Sequence, residues 1–330
     1  MTYFIFALVA LFAWSGSDLF SKLGTSQKDK NSHWHVIFAV GVIMGIHAVI
    51  TIIFGSFIDP DTIPSWLASV IYTDFKPMDF VKYLPIAFIY LAAMVIGYVG
   101  LRYIELSVSS PICNSSGSLA LVICLFFGWA TIDGWTIAGV ILVTVGIIML
   151  GIVEYRESDE IKLARQNKSN FKYTKSLWAI LIPVIYLIMD ALGTVGDQLV
   201  SELELFDMSE YASNTAFEFT SLCFAIFAFI YVKVIKKQKF FYLDNEDAPR
   251  DKVLKRNLLF GGLCETVGQI FYMAVMFSDF DAGMPMISAY CVLSVVWSRI
   301  FLKEKLSYKH YIAIALTFAG IILLGIFSPV

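Results

Sequence analysis

Long apolar stretches alternate with short polar segments along the whole chain. A helix needs about 20 mostly apolar residues to cross the hydrocarbon core of a membrane. The polar segment 59–80 has only a short amphipathic middle, in which Trp66 and Tyr72 suit the headgroup layer. We therefore predict an all-α polytopic membrane protein with ten transmembrane helices, at residues 2–23, 34–58, 81–103, 107–129, 134–153, 176–199, 210–232, 257–277, 282–302 and 307–327.

One part of this pattern occurs twice. Residues 111–152 align without a gap on residues 285–326, at an offset of 174. Each copy holds two apolar stretches joined by a polar corner, which indicates an internal duplication. Both aligned prolines are expected in the first turns of their helices, where a missing N–H costs nothing. The aligned pairs include Pro111 with Pro285, Gly146 with Gly320 and Gly151 with Gly325.

The duplication divides the chain into two five-helix repeats. We place the first repeat at residues 1–153, a cytoplasmic linker at 154–175 and the second repeat at 176–330. An odd number of helices per repeat reverses the direction of the second repeat across the membrane. The predicted fold is therefore two inverted five-helix repeats.

Composition supports a lipid environment. The chain is 58% hydrophobic and 15% charged, whereas a soluble domain carries about 25% charged residues. The net charge of −3 gives no indication of nucleic-acid binding. The five cysteines all lie in apolar stretches without metal-ligand spacing, so we interpret them as small buried hydrophobic residues.

Charge also predicts sidedness. Of the 24 lysines and arginines, all except Lys76 and Lys82 fall in the loops after helices 1, 3, 5, 7 and 9. Basic loops stay in the cytoplasm. The distribution therefore predicts that these loops are cytoplasmic and that both termini lie outside. The short, compact loops and the absence of a targeting signal favour a plasma (inner) membrane.

Polar residues at mid-membrane depth are the candidates for function. An ionised side chain there costs about 2.5–3.5 kcal/mol even on a lenient scale, so it needs a reason. Helix 6 carries Asp190; helix 7 carries Asn214 and Glu218, and helix 8 carries Glu265 and Gln269, each pair spaced to face one way. One hypothesis is a polar cavity that binds a cationic group or exchanges a proton, and the alternative is hydrogen-bonded contact between helices.

Other candidates have weaker patterns. Asp197 is expected near the outer end of helix 6, where water reaches it. His47 lies mid-helix and either relays protons or stays neutral on a carbonyl. Asp18 and Lys22 are spaced for a local ion pair, with Lys22 reaching the headgroups. Side chains that could wall a pocket, or simply pack, are Asn114, Tyr98, Tyr272 and Tyr290.

No catalytic pattern is present in the sequence. It has no phosphate-binding glycine loop, no nucleophile elbow and no paired zinc ligands. We therefore predict that the protein is not an enzyme and uses no cofactor or metal.

Two segments resemble a known family. WSGSDLFSK in helix 1 and FLKEKLSYKHYIAIALTFAGIILLGI at the end are similar to the drug/metabolite transporter superfamily, EamA type. The second segment has that family's corner glutamate, here Glu304, and a Gly-rich final helix with Gly320, whereas the first-half corner has Asp133 instead. The resemblance implies two EamA-like repeats that form a ten-helix basket around a substrate cavity and work by alternating access. We expect Glu304 to fix the corner rather than to bind substrate.

These observations together favour a secondary-active transporter of a small polar metabolite, cationic or zwitterionic. Protons are the expected coupling ion, acting through Glu265, Glu218 or Asp190. The alternatives are an uncoupled facilitator or exporter of neutral or aromatic metabolites, and a flippase for a lipid-linked group. The expected partners are the small-molecule substrate, the lipid bilayer and protons, with no nucleic acid, in a monomer or a homodimer.

Overall fold

The computed structural model describes residues 2–25, 29–129, 134–156, 177–202, 207–238, 248–278, 290–304 and 306–327. Every regular element in these ranges is helical, as predicted. Asp133, Pro285 and most of the predicted linker lie outside them. The helices are α1 (Thr2–Gly24), α2 (Ser32–Phe54), α3 (Ser65–Ile71), α4 (Pro77–Gly100), α5 (Leu106–Cys113), α6 (Ser116–Phe127), α7 (Gly134–Arg156), α8 (Leu177–Glu202), α9 (Glu210–Ile230), α10 (Ala248–Ser278), α11 (Tyr290–Trp297) and α12 (Tyr308–Phe327).

The described helices are those of a membrane protein. By length and composition, seven helical segments are long and apolar enough to cross a membrane, and two shorter apolar helices lie at Ile137–Leu150 and Tyr290–Leu302. Large apolar side chains on the outer surface are more than half exposed, as lipid-facing residues are. The membrane class is confirmed, whereas the count of ten spans and the inversion stay predictions. Examples of exposed apolar side chains are Phe12, Ile50, Phe88, Ile141 and Phe227.

Helices from the two halves of the chain pack against each other. α1 packs along α10 and α4 along α8, while α2 pairs with α9 and α7 with α12. Each pairing joins one helix of the first half to one of the second. The core therefore lies between the halves rather than within either of them.

The α7–α12 crossing is reciprocal. A β-carbon on Gly146 would lie 2.7 Å from the backbone nitrogen of Thr317, and one on Gly320 would lie 2.7 Å from that of Val143. At the offset of 174, Gly146 aligns with Gly320 and Val143 with Thr317. The same two positions thus meet twice with the halves exchanged, which is the contact pattern that a two-fold axis produces.

The predicted fourth helix, residues 107–129, is interrupted. α5 ends at Cys113 and α6 begins at Ser116, so Pro111 lies inside α5 and not in a first turn. Proline has no N–H to continue the helical bonding, and the Ser115 hydroxyl donates to the Pro111 carbonyl at 2.7 Å. The Ser115 N–H bonds the Ile112 carbonyl at 3.3 Å instead, so the regular helical bonding stops after Cys113 and the chain forms two short helices.

Candidate functional site

Two adjoining spaces between the helices share one wall. They measure about 580 Å³ and about 540 Å³, each counted with its open mouth. We call the two together the central cavity. The shared wall consists of Trp14, Met94, Tyr186, Glu265 and Tyr290.

The central cavity collects most of the predicted site residues, although they come from five different helices and the break between α5 and α6. Helix periodicity had placed several of them in pairs on one face, but only packing brings those faces together. The predicted residues on its walls are Glu265, Asp190, Gln269, Asn114, Tyr98, Tyr272, Tyr290 and Asp18.

The cavity lining is acidic. Among the described lining residues, the carboxyl side chains are Asp18, Asp190 and Glu265, and no lysine, arginine or histidine lines the cavity beside them. Each of the three is only partly buried because it borders the open space. Aromatic rings form much of the remaining wall, and their faces attract cations. The arrangement therefore favours a positively charged occupant.

The broken helix orients two of these carboxyls. Just before the break, the Ser110 hydroxyl donates to Oδ2 of Asp18 at 2.8 Å. Just after it, the Ser116 hydroxyl donates to Oδ2 of Asp190 at 2.6 Å. Asn114, at the break itself, donates to Ser110 Oγ at 2.8 Å. One irregular segment thus holds a carboxyl from α1 and another from α8.

Glycines hold Glu265 against the aromatic wall. A β-carbon on Gly268 would lie 2.3 Å from the Trp14 ring, so α1 and α10 approach closely there. The Trp14 ring centroid lies 5.0 Å from that of Tyr272 and 5.6 Å from that of Tyr290. Glu265 therefore faces the cavity beside three packed aromatic rings.

The burial of Asp197 differs from the expectation. It was expected where water reaches it, but it is 1% exposed. The hydroxyls of Tyr83, Tyr90 and Tyr272 donate to its carboxylate at 2.5, 2.7 and 3.0 Å. Tyr90 and Tyr272 also line the central cavity, so this carboxylate anchors one end of it. The sequence analysis missed Tyr83 and Tyr90, whose only signal is a seven-residue spacing along one face of α4.

Glu218, Asn214 and His47 lie away from the central cavity. Nδ1 of His47 is 2.6 Å from Oε2 of Glu218, and Asn214 Nδ2 donates to Oε1 at 3.3 Å. Nε2 of His47 lies 2.7 Å from the Val70 carbonyl of α3. The expectation that Glu218 shares one interior with Asp190 and Glu265 is therefore wrong, because Glu218 faces α2.

The expected Asp18–Lys22 pairing is replaced by other contacts. Asp18 accepts from Ser110 and, at 2.7 Å, from Ser294. Lys22 is buried, and its Nζ donates to the carbonyls of Leu101 and Ile104 at 2.5 and 2.8 Å. Lys22 thus ties α1 to the end of α4 instead of reaching the headgroups.

Glu304 has the structural role expected of it. Its carboxylate accepts from the backbone nitrogens of Leu106 and Ser107 at 3.2 and 3.0 Å, and from the Ser107 hydroxyl at 2.6 Å. These N–H groups begin α5, where a helix has unpaired donors and favours negative charge. A residue near the end of the chain therefore caps a helix of the first half.

Comparison with known proteins supports the resemblance found in the sequence. Residues 204–326 match the model of the EamA-like transporter family, which confirms the resemblance inferred from the sequence. These residues are therefore similar to a family of membrane transporters.

The fold of the whole chain has also been seen before. Among 27 matching chains of solved structures, one crystal structure has a TM-score of 0.58 and 10% sequence identity, over 99% of both chains. At this identity the likeness concerns the fold alone. No curated protein matches the chain.

Proposed function

We propose that the protein transports a small organic cation through the central cavity. The observation that carries this proposal is the charge of the lining, whose ionisable groups are Asp18, Asp190 and Glu265 without a basic partner. A carboxylate out of water is costly unless a counter-charge neutralises it. A bound cation supplies that charge, and the aromatic walls add cation–π attraction.

Movement between two inverted repeats gives the cavity access to either side. The α7–α12 crossing supports this, because Gly146–Thr317 and Gly320–Val143 are equivalent contacts with the halves exchanged. The pairings of α1 with α10 and of α8 with α4 are likewise exchanged by the offset of 174. Repeats that meet about a two-fold axis can rock against each other around a fixed central site.

Exchange of the cation for a proton completes the proposed cycle. A cavity carboxyl that binds a proton is neutral, and a carboxylate that binds a cation has its charge neutralised. Binding of either ion therefore avoids the cost of an unpaired carboxylate inside the membrane. When the proton and the cation occupy the cavity carboxyl in turn, a proton gradient drives the movement of the cation, which is secondary-active transport. We place the protein in the plasma membrane with its basic loops in the cytoplasm, as a monomer or a homodimer.

Three ligands with the same aromatic body test the proposal: tyramine (cation), tyrosine (zwitterion) and 4-ethylphenol (neutral). A ligand at roughly a hundred times its Kd stabilises the folded protein by about 2.7 kcal/mol. We expect thermal stabilisation by tyramine, lost in Glu265→Gln and kept in Asp61→Asn, which makes the same chemical change in an exposed loop.

Equal stabilisation by 4-ethylphenol, unchanged in Glu265→Gln, would overturn the proposal in favour of a facilitator of neutral compounds. Stabilisation by a lipid-linked headgroup, without any by the three ligands, would favour the flippase alternative.

A further inference from the structure

A second, smaller cavity lies against His47. It measures about 280 Å³ with its mouth included, and α2, α3, α9 and α10 all contribute to it. We call it the His47 cavity. Its polar lining includes Thr51, Ser69 and Asn214, so it suits ordered water better than an organic solute.

The geometry of His47 determines how many protons the His47–Glu218 contact holds. The Val70 carbonyl can only accept, so Nε2 of His47 at 2.7 Å carries a hydrogen. Nδ1 lies 2.6 Å from Oε2 of Glu218, a distance that requires one proton between the two atoms. That proton is bound either to Glu218, which is then neutral, or to Nδ1 of His47, which is then charged. In both cases the pair holds the same number of protons.

Loss of this proton would break the contact. It would leave a carboxylate, 0% exposed, facing the lone pair of a ring nitrogen. Two acceptors at such a distance repel each other, and a buried bare carboxylate is expensive. The arrangement seen here is therefore the proton-loaded form, and unloading the proton must separate α2 from α9 locally or admit water.

One buried oxygen atom of the His47 cavity indicates where water can enter. Oδ1 of Asn214 is buried and has no hydrogen-bond partner among the described residues, although Asn214 lines the His47 cavity. A water seated there would contact Asn214, whose Nδ2 already binds Glu218. Glu210 lines the same cavity one turn earlier on α9, and its carboxyl can pass a proton inward from the surface.

No other described group around the His47–Glu218 pair offers the proton an equally buried binding site. Burial and the nearby carboxylate of Asp74 raise the pKa of the Tyr72 hydroxyl, which therefore stays protonated. α10 presents only apolar side chains to this cavity. The Val70 carbonyl of α3 contacts His47 directly. The other residues that line the His47 cavity around the pair are Thr51 from α2, Ser69 from α3, Tyr72 directly after α3, Glu210, Tyr211, Asn214 and Thr215 from α9, and Ile270, Met273 and Ala274 from α10.

We propose that the His47–Glu218 pair is a dedicated proton-coupling site, loaded through the His47 cavity and separate from the cavity that binds the cation. α10 connects the two, because it presents Glu265 and Gln269 to the central cavity and Met273 to the His47 cavity. The coupling role rests on the proposed transport of a cation, whereas the proton binding does not.

Infrared difference spectroscopy of the lipid-reconstituted protein, titrated between about pH 8 and 5, tests the proton site without any substrate. We expect a carboxyl or imidazole signal that appears as pH falls and is lost in both Glu218→Gln and His47→Gln. Thr220→Val should keep it, because that hydroxyl donates within α9 to the Ala216 carbonyl. Spectra of either pair variant that match those of the unmodified protein would overturn the proposal.

Tyramine binding over the same pH range tests the coupling. Coupling between sites usually changes affinity by about 5- to 150-fold. We expect a change of that size in the unmodified protein and a clearly smaller one in Glu218→Gln, which keeps only the direct competition of protons for the cavity carboxyls. An unchanged profile in that variant overturns the coupling role. Failure of tyramine to bind at all refutes the proposed cation transport, and the infrared result then still decides the proton site.

Discussion

The carboxyl groups inside this protein divide by what their oxygens contact. Asp197 and Glu218 are fully buried, with protein hydrogen-bond partners on both oxygens. Asp18, Asp190 and Glu265 border open space. A buried carboxyl with its hydrogen bonds satisfied stabilises helix contacts, whereas one that faces a cavity is available to a ligand. The same residue type therefore has two roles in one membrane interior.

Asp197→Asn is predicted to destabilise the protein. An asparagine has one acceptor oxygen for the hydroxyls that now bind a carboxylate, and hydrogen bonds to charged groups contribute about 1.5–3 kcal/mol each. We expect a loss of about 3 kcal/mol in the free energy of unfolding, measured by chemical denaturation in detergent.

Tyr83→Phe, which removes one hydroxyl from the same cluster, should cost roughly half as much. Unfolding curves of both variants that overlay the unmodified protein would show that the tyrosine cluster contributes no stability.

At the scale of elements, the interrupted helix α5–α6 is central to the site. Its break lies beside the central cavity and provides the hydroxyls of Ser110 and Ser116 to two carboxyls from different halves. Irregular backbone at membrane depth is tolerated where it is buried in protein or lines a cavity. Both conditions hold here, so the break and the site depend on each other.

Glu304→Ala is predicted to weaken the start of α5. It removes the acceptor for the Leu106 and Ser107 nitrogens, and loss of a helix cap costs about 0.5–2 kcal/mol. The cost should fall near the upper end because the cap is charged and buried. Thermal unfolding measures it.

Glu304→Gln keeps one acceptor oxygen and should recover part of the loss. A glutamine variant as unstable as the alanine variant would mean that the charge, and not the hydrogen bonds, stabilises the corner.

At the scale of the whole molecule, the contacts between halves dominate. The paired helices meet through residues small enough for close approach, as is common where membrane helices pack without a hydrophobic driving force. Glu304 adds a polar contact across the same boundary, to the Ser107 backbone nitrogen.

Gly146→Ala and Gly320→Ala are predicted to destabilise the protein equally. Each new methyl would lie 2.7 Å from a backbone nitrogen of the facing helix. Overpacking of this kind costs about 1–3 kcal/mol. Gly134→Ala on α7 is the matched control, because a β-carbon there meets none of the described residues within 4 Å.

The free energies of unfolding of the three variants test the reciprocal crossing. Unequal effects at Gly146 and Gly320, with one of them matching Gly134→Ala, would contradict the two-fold relation between α7 and α12.

The helices, the duplication and the family resemblance could all be inferred from the amino-acid order. Apolar length and repeated spacing are local properties, so α1 and α12 lie where the pattern indicated, and residues 204–326 match the predicted family. The pairs Glu265–Gln269 and Asn214–Glu218 also face one way each, as their spacing required. The break after Pro111 was not foreseen, because proline alone does not decide between a bend and a helix end.

Only the tertiary structure decided which faces meet. Spacing along a helix orients a side chain but does not identify the neighbour opposite, and those neighbours come from distant parts of the chain. Glu218 is thus bound by His47 of α2, and Asp197 is enclosed by Tyr83 and Tyr90 of α4. The sequence by itself determined that carboxyls lie inside the membrane. Packing between the halves determined which of them line a cavity and which are already occupied by protein donors.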